Sequence, residues 1–287
     1  HFLLKITDDT YLLLNANLLV DKFYQGLKFD FFQSLNGKYK TYPDFNSDLA
    51  TRFSERHLLY RLMQKIYPDN GKTKMFTGEE LKQKGVTGEP DLYLRIGTTL
   101  FLFEYKDVTL GDNIKYSQDI QAIKRGINDR LCKYGKKKKG AGQLFYNIRR
   151  ILLENLMEEF DSSINNISEI YPIIVTTDRS FSAIGVNAFV TQEFSYIISD
   201  NPINKKVFIS VPIIMGLDTL ISCAKELSDG TISLKDILDK YLQEANLLNS
   251  FDTYMYDNYL KNKRLQASET EFLFGEHLSN MITSYST

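Results

Sequence analysis

The chain has 287 residues with a formal net charge of −1, and 43% of its residues are hydrophobic and 25% charged. Such proportions belong to a globular protein long enough for one large domain or two small ones, and a charge so near zero rules out a global basic field, so any nucleic-acid surface has to be a local patch. Cys132 and Cys223 stand apart and His1, His57 and His277 are scattered, which argues against a disulfide framework, a Cys/His zinc site and a His-based metal site, and for a reducing, cytoplasmic setting.

No apolar run of about 18 residues suggests a membrane span, and no signal-peptide pattern is present, so no membrane partner is expected. The chain begins with histidine, which fits a processed chain or a piece of a longer protein. Residues 2–6 and 11–15 are apolar runs around Thr7-Asp8-Asp9-Thr10 and predict a hairpin. Leu18, Leu19, Phe23, Leu27, Phe31 and Phe32 follow at near-helical spacing, and Asn36-Gly37 and Pro43 close the segment. Residues 1–43 thus read as an N-terminal extension whose aromatics serve packing.

Residues 46–67 predict a helix, with Leu49, Phe53, Leu59, Leu62, Met63 and Ile66 as its apolar stripe and Pro68 and Asn70-Gly71 as its end. Glu55 precedes Leu59, Leu62 and Ile66 by four, seven and eleven residues and so falls on that stripe. It either faces the core or escapes to solvent at the stripe's edge. Thr77-Gly78-Glu79-Glu80 is a capping box that opens a short helix, because a Thr N-cap and a Glu at the third position satisfy each other's orphan donors. Glu80 is therefore read as structural.

Two strands follow. Leu92, Leu94 and Ile96 alternate with Tyr93 and Arg95, and Leu100 to Phe103 is an apolar run suited to a strand buried on both faces. Gly97 suits the first central position of a two-residue hairpin turn. With Gly97-Thr98 as that turn, residue i pairs with 195 − i, so Asp91 lies opposite Glu104 and Lys106 shares the face of Glu104. Like charges directly opposed on neighbouring strands are destabilising, and charges at the end of a buried strand are costly. Two carboxylates at that spacing nevertheless suit a hard divalent cation, and a lysine beside them suits orienting a water or steadying charge on a phosphate. The alternative is that Asp91 marks a strand entry after Pro90 and that Glu104 and Lys106 are a solvated pair.

Pro90-Asp91, a hairpin, then Glu104-Tyr105-Lys106 resembles the signature of the PD-(D/E)XK nuclease superfamily, over about residues 44–215. The resemblance implies an α/β fold, a restriction-endonuclease-like mixed sheet flanked by helices, with the N-terminal extension before it and a helical part, 216–287, after it. It also implies Mg²⁺, for which Mn²⁺ can substitute, held by Asp91, Glu104 and the Tyr105 carbonyl. An extra acidic residue often comes from the helix before the Asp strand, where Glu55 stands. Lys106 would position the water, and the substrate would be DNA rather than RNA. The setting implied is prokaryotic restriction or antiviral defence. Repair or processing by the same chemistry, or a subunit that binds nucleic acid without cutting, are the alternatives. A homodimer or a larger defence complex is compatible with these roles, since a palindromic cutter needs a symmetric dimer. A two-carboxylate glycosidase is disfavoured because the chain has no Trp for a sugar platform.

Residues 107–113 read as a loop and 114–134 as a helix. From 124 to 139 there are eight basic residues and one acid, Asp129. Lys136 to Lys139 lack apolar neighbours and read as a mobile loop, either a solvated turn or a phosphate-binding loop. A helix from Gln143 to about 160 buries Leu144, Ile148, Ile151, Leu152 and Leu156, while Gln143, Tyr146, Asn147 and Arg150 form a polar stripe. Gln143 with Tyr146 loosely resembles the Gln, sometimes followed by Tyr, of several families in the superfamily, although the exonuclease-type spacing differs by one. The resemblance gives Gln143 a catalytic role, and Tyr146 and Arg150 join the lysines on the nucleic acid; alternatively, Gln143 caps the helix. Residues 171–177 predict a core strand, 181–199 a helix, 206–212 a strand, and 216–228, 233–245, 250–263 and 268–283 helices.

Overall fold

A computed structural model describes residues 3–13, 16–115, 117–244, 247–261 and 263. The chain forms two compact units, His1–Arg56 and His57–Thr287. In the first, β1 (Leu3–Lys5) and β2 (Tyr11–Leu13) pair antiparallel as the expected hairpin, and α1 (Ala16–Ser34) follows. Phe29, Phe31, Phe32, Tyr42 and Phe45 form an aromatic cluster with ring centroids 5.6–6.1 Å apart, so part of the aromatic content does serve packing. Phe23 and Leu27 of α1 are exposed.

The predicted 46–67 helix begins earlier, at α2 (Tyr42–Leu49), where Thr41 caps the Asp44 N–H and Pro43 sits in the first turn. It then widens into a π-helical stretch, Ala50–Tyr60, before α3 (Arg61–Ile66). A π turn holds more residues than an α turn, so the 3.6-residue phasing fails across it. Leu59, Leu62, Met63 and Ile66 are buried as expected, but Phe53 is 46% exposed.

The second unit is built on a six-stranded mixed sheet of order β3 (Thr73–Thr77), β4 (Leu92–Ile96), β5 (Thr99–Lys106), β6 (Glu169–Thr176), β7 (Phe208–Ile209), with β8 (Ile213–Gly216) also on β6. The β3–β4 and β4–β5 pairs are antiparallel, whereas β5–β6, β6–β7 and β6–β8 are parallel. The chain is thus a mixed α/β protein with helices on both sides of the sheet. Of the strand expected over 206–212 only Phe208–Ile209 forms, and β8 begins after Pro212, which has no N–H to give a ladder.

One face of the sheet, bearing Leu92, Leu94, Phe101, Phe103, Tyr171, Ile173, Val175 and Met215, packs against α3 and α9 (Leu217–Ser222), α10 (Ala224–Asp229), α11 (Leu234–Glu244) and α12 (Phe251–Met255). The helices after residue 216 are therefore part of the core layer, not an appendage. The helix expected over 268–283 lies outside the described residues. The other face, bearing Phe76, Tyr93, Leu100, Leu102, Ile174 and Ile214, packs against α4 (Gly78–Gln83), α6 (Ile120–Leu131), α7 (Ala141–Leu153) and α8 (Val186–Asp200). β5 lies between β4 and β6 and is covered on both sides, which explains its continuous apolar run.

Two expected helices differ in extent. The 114–134 helix is divided into α5 (Asp112–Lys115) and α6, whose N-cap Asp119 accepts from the Gln121 N–H at 2.8 Å. α7 stops at Leu153 instead of reaching 160, because Asn155 adopts φ +54°, a left-handed conformation that Asn tolerates better than most residues. The capping box on α4 is formed in both directions: Glu80 N–H to Thr77 Oγ1 at 3.2 Å and Thr77 N–H to Glu80 Oε2 at 2.8 Å.

Arg95 alternates with apolar residues on β4, as a solvent-facing residue would, yet it is 5% exposed. Its guanidinium grips Asp161 with two parallel bonds, 2.5 Å from Nε and 2.8 Å from Nη2, and its Nη1 donates to the Gly97 carbonyl at 2.9 Å. The Tyr93 hydroxyl donates to the same carboxylate at 2.7 Å. Burial alone would raise the Asp161 pKa, but these donors outweigh it and hold the carboxyl below its ordinary value.

Candidate functional site

The β4–β5 hairpin turns at Gly97, whose φ of +58° an L side chain resists. Its ladder runs from Ile96↔Thr99 to Leu92↔Phe103, so every pair sums to 195. Asp91 stands one step beyond the last pair, in register with Glu104. There its side chain takes over the ladder: Oδ2 accepts from the Tyr105 N–H at 2.7 Å. The Asp91 carbonyl in turn accepts from the Gly78 N–H at 2.8 Å. A Cβ on Gly78 would meet the Pro90 carbonyl at 3.0 Å, so the close approach of α4 to this strand end depends on glycine. Burial pushes the Asp91 carboxyl above its ordinary range, and the Lys106 ammonium pulls against that rise.

Glu104 is fully buried and Lys106 half-buried. Period-two alternation places both on the face of Leu100 and Leu102, the side that carries α7. The Lys106 ammonium donates to Glu104 Oε1 and, at 3.2 Å, to the Tyr105 carbonyl. Glu104 and Lys106 are thus a tight ion pair beneath a helix, not a solvated one. Past the ladder, the Thr177 hydroxyl donates to Asp107 at 2.6 Å and keeps the ends of β5 and β6 together.

α7 packs across β5 and β6. Its N-cap is Gly140, whose φ is +52°, so Gln143 does not open the helix but lies in its first turn. Tyr146 and Arg150 meet the segment leading to Asp91. Arg150 Nη1 donates to the Thr87 carbonyl, and a Cβ on Gly88 would lie 3.2 Å from Tyr146 Cε1. The Lys138 ammonium stands 4.3 Å from the Tyr146 ring centroid, and the Arg150 guanidinium 5.3 Å. Tyr146 thus has two cations near its ring, an arrangement attractive in itself.

The lysine loop is closed at its neck, where the Lys139 N–H donates to the Lys133 carbonyl at 2.9 Å. Gly140 and Gly142 lie so near the Leu131 and Lys133 backbones that any side chain would overlap them. Lys136, Lys137 and Lys139 are exposed and Lys138 is half-buried over Tyr146. The loop is thus a held projection of basic side chains.

Asp91, Glu104, Tyr105 and Lys106 are brought together at the hairpin end, while Gln143, Tyr146 and Arg150 share the helix over that face. Glu55 lies in the other compact unit, half-buried on the π-helical stretch. No group of three His, Cys, Asp or Glu side chains gathers for a metal among the described residues, and a cation here would have two carboxylates and a carbonyl. No helix among the described residues is long and apolar enough to cross a membrane. Comparison with protein-family models, with curated proteins and with solved structures found no match.

Proposed function

We propose that the chain is a Mg²⁺-dependent deoxyribonuclease built on a restriction-endonuclease-like core, acting in prokaryotic restriction or antiviral defence as its resemblance implies. The observation that carries the reading is the hairpin register, which opposes Asp91 to Glu104 and sets Lys106 on the same face at the end of a buried strand. Two carboxylates and a carbonyl fit a small cation that retains several waters. Bound there, the cation would supply hydroxide near neutral pH and polarise the phosphate.

Asp91 and Glu104 would hold the cation, with the Tyr105 carbonyl. Lys106 bonds the last two of these oxygens in the structure. The Lys106 ammonium would steady the negative charge that grows on the phosphate. Gln143 would orient the scissile strand. The lysine loop and Arg150 grip neighbouring phosphates, and Tyr146 offers a face for a base.

The reading is tested by incubating supercoiled plasmid, linear duplex and single-stranded DNA with Mg²⁺, Mn²⁺ or EDTA. Metal-dependent cleavage is the expected result. Discrete bands would mean sequence specificity, and DNA binding without cleavage would move the chain to the non-cutting subunit. Replacing Lys136 to Lys139 together by alanine is expected to weaken DNA binding at low salt. The slope of log Kd against log salt should flatten by about 0.9 for each phosphate that the loop no longer neutralises. Fluorescence anisotropy from low to moderate salt measures this, and an unchanged slope would remove the loop from the interface.

A further inference from the structure

Asn147 lies mid-way along α7 and is fully buried. Neither its Oδ1 nor its Nδ2 has a hydrogen-bond partner among the described residues. A carboxamide carries two donor hydrogens and two acceptor lone pairs, and buried polar side chains almost always find partners in protein, water or ligand. At about 100° per residue, Asn147 sits about 40° around the helix from Gln143 and about 60° from Arg150. It flanks the buried stripe of Leu144, Ile148 and Ile151 on the side that meets Thr87 and Gly88. Those residues lead directly into Asp91, and the sheet face beneath α7 carries Glu104 and Lys106. Asn147 therefore has hydrogen-bonding capacity that the described chain leaves unused, on the flank of α7 that meets the segment leading into Asp91.

We infer that Asn147 is a positioning residue for the cation held by Asp91 and Glu104, its Oδ1 accepting from a water in the cation's coordination shell. The inference rests on the metal-dependent reading above. A cation with two carboxylates keeps several waters, and such waters are strong donors that need acceptors. Partners in this outer shell commonly change metal affinity 10–100-fold. Because an acceptor is what the water needs, aspartate can take the place of Asn147 and alanine cannot.

The test is Mn²⁺ titrated into the full chain without DNA, free Mn²⁺ being read by electron paramagnetic resonance, for wild type, Asn147→Ala, Asn147→Asp and Asp91→Asn. Circular dichroism establishes that each variant is folded. Asn147→Ala should bind about 10-fold more weakly or worse, and Asn147→Asp within about threefold of wild type or more tightly. Asp91→Asn should lose the site. Affinity unchanged in Asn147→Ala but lost in Asp91→Asn overturns the inference and leaves the nuclease reading standing. Wild type and Asp91→Asn alike overturns the metal reading and this inference with it. Should Asn147→Ala not fold, Asn147→Asp decides alone, and weakening of about 10-fold or more there overturns the inference.

Discussion

Asp91→Asn is expected to lower metal-dependent DNA cleavage by about 10³-fold or more while leaving the fold intact. The substitution keeps the shape of the side chain and an oxygen for the Tyr105 N–H, which Asp91 Oδ2 now satisfies at 2.7 Å. It removes only the charge. Burial pushes the Asp91 carboxyl above its ordinary range, which means that ionising it costs free energy in the folded state. Without added metal, the asparagine variant is therefore expected to unfold at the same temperature as wild type or higher. Calorimetry in EDTA, beside the plasmid assay in Mg²⁺, separates the two effects. Retained cleavage would remove Asp91 from the chemistry, and a large fall in Tm would make it a structural strand end instead. Lys106→Ala should also lose cleavage, but it leaves Glu104 buried without its ion pair, so its fold needs the closer watch.

Asp161→Ala is expected to destabilise the second unit by about 3–5 kcal/mol, because it leaves the Arg95 guanidinium buried without its counter-ion. For a unit of this size that is a fall of about 10 °C in Tm. Asp161 also accepts from the Tyr93 hydroxyl and, at 3.1 Å, from the Ser163 N–H, so it fastens the 154–168 connection to β4. Removing both charges, as Arg95→Met with Asp161→Leu, should cost less than Asp161→Ala alone, since no unpaired charge remains. The pH dependence has a definite sign. The Asp161 carboxyl is held below its ordinary value in the fold, so its contribution is complete above the unfolded-state pKa of about 3.9. It disappears as pH falls through the lower, folded-state value. Denaturant titrations of wild type and Asp161→Ala should therefore converge in acid, below about pH 4. A constant gap down to the lowest pH would mean that the loss is one of packing and not of charge.

The features legible before folding are local ones. The pairing of Asp91 with Glu104 followed from a glycine turn and a period of two, because a two-residue turn leaves one register available and alternation then sets every side chain's face. The Thr77–Glu80 cap was legible for the same reason: its partners are three residues apart. Expectations that relied on a helical period over distance were weaker. A π-helical stretch shifted the stripe through Phe53 and Glu55, and a left-handed Asn155 ended α7 early.

Which charges are buried follows from packing between distant segments. Arg95 sits where alternation puts a wet residue, and nothing local announces Asp161, 66 residues away, as its partner. For Glu104 and Lys106 a solvated pair stayed open in sequence, and the burial of Glu104 with the ammonium against it closed that alternative. The lysine run carries no sign of its closed neck, which depends on two glycines lying against the Leu131 and Lys133 backbones. Asn147 read as one member of a polar stripe, and its burial became visible only when α7 lay against the sheet. In each case the deciding quantity is desolvation, which depends on what packs above a residue and not on its neighbours in sequence.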